Sequence, residues 1–159
     1  MTAQSIFTVP SICEREGHVQ SRDISLVPAW PFCKDCGAKN TSQCLSCDAV
    51  IHGTMGRHPG PYNPPSFCHE CGAGYPWTAR RIRSAQQVIL ESDSSPEAKD
   101  VANSLPDLVT PSEGSNSAIA RVKFWMARAA PTVARAIWEL MWPIISAEAR
   151  AKLGIPPSQ

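Results

Sequence analysis

The chain has 159 residues, with 15 lysines and arginines against 14 aspartates and glutamates, and a formal net charge of +1. This near balance of basic and acidic residues excludes a protein that attracts nucleic acid through its overall charge. The seven cysteines are an odd number, which argues against a closed disulfide framework. Neither a basic leader nor a continuous apolar stretch opens the sequence, so we expect a cytoplasmic protein with reduced thiols.

The composition divides the chain into two parts. All seven cysteines and all four histidines precede Trp77, whereas the later residues are rich in alanine and follow a helical pattern. The first part has few aliphatic residues, and small domains of this kind usually depend on metal or disulfides. We therefore predict a small metal-stabilised α+β fold, with a double zinc-ribbon module at residues 1–77 and an α-helical region at 78–159.

Cysteine spacing predicts two metal sites in the first part. A Cys-x-x-Cys turn places two sulfurs on one side of a loop, so two such turns close a tetrahedral site. The chain has three of these pairs, and a cysteine with a nearby histidine makes a fourth. We predict two structural Zn²⁺ ions per chain, with these ligands: Cys13, His18, Cys33, Cys36, Cys44, Cys47, Cys68 and Cys71.

The order of the ligands favours sequential pairing, in which the first four bind one ion and the last four bind the other. A cross-braced arrangement, which joins the first pair to the third, is the alternative. The second site is better defined, because both of its halves are Cys-x-x-Cys pairs. In the first site, His18 could instead be an exposed loop residue, with His52, His58 or water as the fourth ligand. We expect His69 to point away from the metal.

The residues between the cysteines predict hairpin strands at 18–20, at 50–52 and near Phe67, with a long loop at 52–65. Gly37, Asp48 and Gly72 each follow the second cysteine of a pair. A residue that accepts positive φ at this position allows the turn to close.

Two helices are predicted directly after the cysteine-rich part. Thr78 is a suitable N-cap for the first, which should end near residue 93. Ser95 and Pro96 are a typical helix start, with serine as the N-cap and proline in the first turn. Pro106 is predicted to end this second helix.

A polar linker is predicted near 106–117, followed by a helical tail. One helix should span 117–130, and another should begin at Thr132, bend at Pro143 and end at Gly154. Charged residues interrupt every window of about 20 residues. The tail is therefore not expected to span a membrane, although it could lie on a membrane surface.

No motif in the sequence indicates catalysis, so we expect the protein not to be an enzyme. The second metal site is all sulfur and closed, and neither a metalloprotease nor a serine-hydrolase motif occurs. The leading hypothesis is an adaptor whose ribbons present a recognition surface. Its C-terminal helices would bind a protein partner or mediate self-association. A nucleic-acid-binding ribbon protein and a peripheral membrane protein are the alternatives.

Two further groups of residues could contact partners. Three arginines near the start of the helices form either a phosphate-contacting patch or a solvated face: Arg80, Arg81 and Arg83. Three tryptophans form either a partner-binding stripe or part of the core: Trp125, Trp138 and Trp142. Residues 117–154 are expected to hold more apolar surface than a helical hairpin of about 35 residues buries on itself.

The order of motifs resembles a bacterial family known as domain of unknown function 2321. The resemblance lies in Cys13 with Gly17-His18, in residues 32–38, in residues 44–47 and above all in residues 62–78, which end in Pro-Trp-Thr. A later Asp-Leu-Val-Thr segment is also similar. The first turn, Cys-Glu-Arg-Glu-Gly-His, is one residue longer than the family pattern. The resemblance implies tandem zinc ribbons with a helical tail, and it implies no activity.

Overall fold

The structure is a computed structural model that describes residues 6–27, 29–56 and 60–154. The chain forms two compact units, one ending at Arg80 and the other beginning at Arg81. The first unit holds a small sheet of three strands: β1 (Ser11–Cys13), β2 (Val19–Ser21) and β3 (Asn40–Thr41). Five helices follow: α1 (Pro76–Ser92), α2 (Pro96–Val109), α3 (Ser115–Met126), α4 (Pro131–Met141) and α5 (Ala147–Leu153). The predicted fold class, a small α+β protein with paired cysteine groups and a helical C-terminal region, is confirmed.

The strand β1 lies at the centre of the sheet, between β2 and β3, and both pairings are antiparallel. Its residue Ile12 is fully buried and packs in a small core with Ile51, Tyr75 and Trp77. The rings of Tyr75 and Trp77 are stacked with their centroids 4.7 Å apart. Two cysteines, Cys44 and Cys68, complete this core, which therefore contains few aliphatic side chains. Domains with so small a core usually depend on metal or disulfides for stability.

The helix α1 begins earlier than predicted. Thr78 lies inside its first turn, and its hydroxyl donates a hydrogen bond to the carbonyl of Ser66 at 2.9 Å. The indole N–H of Trp77 donates to the carbonyl of Pro65 at 3.0 Å. The start of α1 is thus fixed by the segment before Cys68, and Thr78 is not the N-cap.

The prediction that Pro106 ends the second helix is wrong. The helix α2 continues through Pro106 to Val109. A proline in a helix removes the hydrogen bond to the carbonyl four residues earlier, which here belongs to Ala102. The side-chain amide of Gln86, in α1, donates to that carbonyl at 3.1 Å. This replacement donor allows the helix to continue, and the linker predicted near 106–117 shrinks to residues 110–114.

The start of α2 follows the prediction from its sequence. Ser95 has extended backbone angles, and its hydroxyl accepts a hydrogen bond from the N–H of Ala98 at 3.1 Å. At the other end of the helical region, Gly154 has φ of +91° and its N–H reaches the carbonyl of Arg150 at 3.1 Å. Local capping chemistry therefore set these two boundaries.

The apolar residues of the tail are enclosed within the second unit, which corrects the expected surplus of exposed surface. The buried residues from α3 onward include Ile119, Val122, Ile137, Met141, Ile144 and Ile145. They share the core with Leu105 and Leu108 of α2. The backbone N–H of Ser146 also donates to the carbonyl of Leu108 at 2.9 Å. Among the described residues, none of the helices combines the length and apolar character needed to cross a bilayer.

Candidate metal centres

Four turns of the first unit share one backbone pattern, and we call each of them a knuckle. In every knuckle, the N–H of the leading cysteine donates to the carbonyl five residues later, and the N–H four residues later donates back to the cysteine carbonyl. All eight of these bonds measure 2.7–2.9 Å. The leading residues of knuckles 1 to 4 are Cys13, Cys33, Cys44 and Cys68.

The fifth residue of each knuckle has a positive φ. Gly17, Gly37 and Gly72 have φ of 74°, 70° and 73°, and Asp48 has φ of 61°. Glycine accepts this conformation without steric cost, and aspartate tolerates it better than most residues. The sequence therefore permits all four turns to close in the same way.

The knuckles meet in two groups of four ligand atoms. The first group combines knuckles 1 and 2 through Cys13, His18, Cys33 and Cys36, and the second combines knuckles 3 and 4 through Cys44, Cys47, Cys68 and Cys71. Within each group, all ligand atoms lie within 4.8 Å of one another. The grouping is the sequential one, and each group could hold a metal ion.

The spacing of the ligand atoms fits a tetrahedral ion and not a disulfide. The sulfurs of Cys44 and Cys71 are 3.8 Å apart, and those of Cys47 and Cys68 are 3.7 Å apart. A tetrahedral zinc with Zn–S bonds of about 2.3 Å separates its sulfurs by about 3.8 Å. A disulfide bond measures only about 2.05 Å.

The first group has similar spacing and includes the histidine. The Nδ1 atom of His18 lies 3.6 Å from the sulfur of Cys33, and tetrahedral zinc places a nitrogen and a sulfur ligand about 3.5–3.6 Å apart. The sulfurs of Cys13 and Cys36 are somewhat closer, at 3.4 Å. His18 is exposed, but its ring is directed at the three sulfurs.

The knuckle backbone favours the thiolate form of two leading cysteines, Cys68 and Cys13. The N–H groups of Cys71 and Glu70 lower the pKa of the Cys68 thiol to about 6. At Cys13, burial acts in the opposite direction, but hydrogen bonds led by the N–H of Glu16 outweigh it and lower the pKa. Thiolates are the form that binds metal, so the backbone prepares these ligands for a cation.

Crowding has the opposite effect on Cys47. The N–H of Ala49 favours its thiolate, yet the neighbouring thiols of Cys71 and Cys68, together with burial, raise its pKa to about 12. Like charges this close cannot all exist without compensation. A cation at the centre of the group would supply that compensation.

Neither His52 nor His69 belongs to either group. His69 stacks on His52 with ring centroids 4.1 Å apart, and its Nε2 lies 3.4 Å from Glu70. His52 also stacks on Phe7 at 4.5 Å. His58 lies outside the described residues.

Two of the three predicted arginines bond to other parts of the chain. The Nε of Arg80 lies 2.7 Å from Oε1 of Glu16, and Arg81 donates to the carbonyls of Glu139 and Leu140 at 3.4 Å. Arg83 is exposed. Arg80 thus bonds to knuckle 1, and Arg81 bonds to the C-terminal end of α4.

The three tryptophans also separate. Trp125 is only 5% exposed, and its indole N–H points to Oδ2 of Asp93 at 3.3 Å. Trp125 therefore belongs to the core and is not available to a partner. Trp138 and Trp142 are half-buried and touch edge to face with centroids 5.2 Å apart. Arg150 lies over the ring of Trp142.

The sequence did not predict the contacts that join knuckle 1 to the start of α1. A side chain at Gly17 would meet the ring of Trp77 at 3.1 Å, and Arg80, one turn further along, binds Glu16. The Pro-Trp-Thr motif gave the only signal, since its Trp77 contacts knuckle 1 while Trp77 and Thr78 bind the carbonyls before knuckle 4. This motif therefore contacts knuckle 1 of the first ligand group and the segment that leads into knuckle 4 of the second.

The fold and the two ligand groups define a class: a double ribbon of knuckles whose two groups could each hold a metal ion, with a helical C-terminal region. The chain belongs to the family of uncharacterised proteins conserved in bacteria, domain of unknown function 2321, whose model matches residues 6–153. No curated protein and no solved structure matches the chain.

Proposed function

We propose that this protein is a non-enzymatic interaction protein stabilised by structural zinc. Its first unit, which contains the four knuckles, presents the recognition surface. The distribution of exposed apolar side chains carries the proposal. Of ten large hydrophobic residues exposed in the described part of the chain, eight lie in the first unit: Ile6, Leu26, Val27, Trp30, Phe32, Leu45, Val50 and Met55. The other two, Leu90 and Phe124, are on the helices.

Structural zinc fits both ligand groups. Four thiolates, or three thiolates and an imidazole, are typical structural zinc ligands. Each group supplies four protein ligands, so no coordination position is left for a substrate or an activated water. Elemental analysis of protein purified without added metal tests this step, with two zinc ions per chain as the expected result and a lower number or another metal as the contrary one.

A protein partner suits the exposed surface better than nucleic acid does. Phe32 is 60% exposed beside knuckle 2, and Leu45 is 59% exposed within knuckle 3. The first unit, residues 1–80, carries six basic and six acidic side chains, and metal-bound thiolates would add negative charge. Apolar and aromatic side chains are typical of protein-binding hot spots, whereas phosphate binding needs accessible cations.

Binding of a protein partner is tested with two matched double variants. Phe32→Ser with Leu45→Ser removes apolar side chains from the knuckles, and Leu90→Ser with Phe124→Ser removes two exposed ones from the helices. Proteins captured from bacterial lysate would be identified, purified and titrated against each variant. We expect the knuckle variant to lose at least tenfold in affinity, a change of about 1.4 kcal/mol, and the helix variant to bind like the wild type.

Zinc content and circular dichroism must stay unchanged in both variants, which shows that the fold is intact. Equal binding by the two variants would refute the assignment to the knuckle unit. Salt-dependent retention on DNA or RNA, or co-sedimentation with liposomes, would favour the nucleic-acid or membrane alternative. Light scattering would show whether the chain binds a second copy of itself.

A further inference from the structure

The four knuckles align residue by residue, and the first differs from the others at two positions. The residue three after the leading cysteine is Cys36, Cys47 and Cys71 in knuckles 2 to 4, but Glu16 in knuckle 1. The residue five after it is alanine in knuckles 2 to 4, but His18 in knuckle 1. The backbone hydrogen bonds are the same in all four. Glu16 therefore stands where the other knuckles have their second ligand.

The side chain of Glu16 is not a member of the first ligand group. Its Oε1 accepts a hydrogen bond from Nε of Arg80 at 2.7 Å. The neighbouring Gly17 packs against Trp77, which is three residues before Arg80 in α1. The first five residues of this helix thus include both the side chain that binds Glu16 and the ring that packs against the backbone beside it.

A carboxylate at this position would otherwise compete for the metal, because aspartate and glutamate oxygens bind zinc at about 2.0–2.2 Å. We propose that position 16 is a latent ligand position of the first metal site, and that Arg80 is a positioning residue that holds the Glu16 carboxylate away so that His18 completes the site. This inference rests on the proposed occupation of both groups by metal.

Moving the ligand within knuckle 1 tests the latent position. His18→Ala should reduce the metal content from two ions per chain to one. Glu16→Cys combined with His18→Ala should restore two, because it places a thiol where Cys36, Cys47 and Cys71 stand. The matched control is Arg15→Cys with His18→Ala. It places the thiol one residue earlier, where the other knuckles have Asp35, Ser46 and Glu70, and should leave one ion.

Cobalt(II) is the probe for ligand identity, since its thiolate charge-transfer absorbance grows with the number of bound sulfurs. The wild type has seven thiol ligands in its two groups. The combined Glu16→Cys and His18→Ala variant should bind cobalt with eight. Glu16→Cys alone, which keeps His18 and is therefore the safer variant for folding, should also show eight. If Glu16→Cys alone shows seven, or if the Arg15→Cys control restores the second ion equally well, position 16 is not a ligand position.

The role of Arg80 is tested in the His18→Ala background. Arg80→Gln frees the Glu16 carboxylate and should raise cobalt affinity at the first site by about tenfold, the scale of effects of residues that orient metal ligands. Arg80→Lys keeps the positive charge and should not. A purely structural role predicts weaker binding in Arg80→Gln, so unchanged or reduced affinity would overturn this part. A wild-type protein that binds fewer than two ions would instead refute the proposed function, in which structural zinc occupies both ligand groups.

Discussion

Gln86 and Pro106 offer a stringent test of how the helical unit is held together. The Ala102 carbonyl lies inside α2, where Pro106 has no N–H to bind it. The amide of Gln86 supplies the missing donor at 3.1 Å. Ala102 is buried, so Gln86→Ala should leave its carbonyl without a hydrogen-bond donor.

An unsatisfied buried carbonyl costs about 1–3 kcal/mol, and we expect Gln86→Ala to lower the free energy of unfolding of the helical unit by this amount. In a Pro106→Ala background the restored backbone N–H can bind the Ala102 carbonyl, so the same substitution should cost less than about 0.5 kcal/mol. The coupling energy of this double-mutant cycle should be about 1–2 kcal/mol. Gln87→Ala is the control, because Gln87 is exposed and bonds Glu91 within α1.

Urea unfolding followed by far-ultraviolet circular dichroism, with zinc present throughout, measures all five proteins. Equal costs of Gln86→Ala in the two backgrounds would refute the compensation. Pro106→Ala should itself be stabilising, since proline inside a helix costs about 3 kcal/mol relative to alanine. A destabilised Pro106→Ala would show that the ring, and not the hydrogen bond, sets the packing here.

Three further outcomes follow from the site geometry. Removal of zinc with a chelator should unfold the knuckles, because structural zinc supplies on the order of 10 kcal/mol of apparent folding free energy; two-dimensional NMR of the first unit would show the loss, and preserved dispersion would contradict it. Cys68→Ser should lower the melting temperature more than His18→Ala, because Cys68 is buried in the core whereas His18 is exposed; calorimetry checks the order, and the reverse order would contradict it. The backbone N–H and hydroxyl of Ser95, with the Trp125 indole, hold the pKa of Asp93 below its ordinary value of 3.8, so the contribution of Asp93 to stability is present above that pH and is lost as the pH falls. In Asp93→Asn, the free energy of unfolding measured by tryptophan fluorescence should therefore decrease less steeply as the pH is lowered. An unchanged pH dependence would refute the assignment.

The cysteine-rich half could be predicted from the sequence because its geometry is local. Cys-x-x-Cys spacing, followed by a residue that accepts positive φ, specifies a knuckle whatever lies around it. The grouping of the ligands also follows chain order, so distant contacts did not have to be known. The first knuckle was harder to predict, because it contributes His18, and not residue 16, to its group of candidate ligands. Glu16 stands at the position where the other three knuckles have a cysteine.

Correct prediction of the helical half required knowledge of tertiary contacts, which the periodicity of apolar residues in the sequence does not reveal. Ser95 and Gly154 act through their nearest neighbours, and their roles were predictable. Pro106 appeared to be a helix end because its compensating donor, Gln86, lies in another helix. The tail appeared to have excess apolar surface because residues such as Ile145 were counted without the helices that bury them.

Gly17 provides a last test, because it separates backbone strain from packing within one metal site. Gly17 and Gly37 occupy the same knuckle position in the first ligand group, and their φ angles are 74° and 70°. A side chain on Gly37 would meet nothing within 4 Å, whereas one on Gly17 would meet the Trp77 ring at 3.1–3.4 Å. Alanine at either position carries the left-handed strain of about 1–2 kcal/mol. Only Gly17→Ala adds the cost of overpacking, which is typically about 1–3 kcal/mol.

Cobalt affinity at the first site should therefore fall by about 5- to 30-fold in Gly37→Ala. In Gly17→Ala it should fall by at least about a further fivefold, which corresponds to an added overpacking cost of about 1 kcal/mol. Competition titration against a chelator of known affinity measures both, with the second site as an internal reference. Equal losses would mean that Trp77 moves aside freely and does not press on knuckle 1. A larger loss in Gly17→Ala would show that the Pro-Trp-Thr motif and the first metal site are coupled through this contact, because metal affinity would then depend on the side chain that the helix presents to the turn.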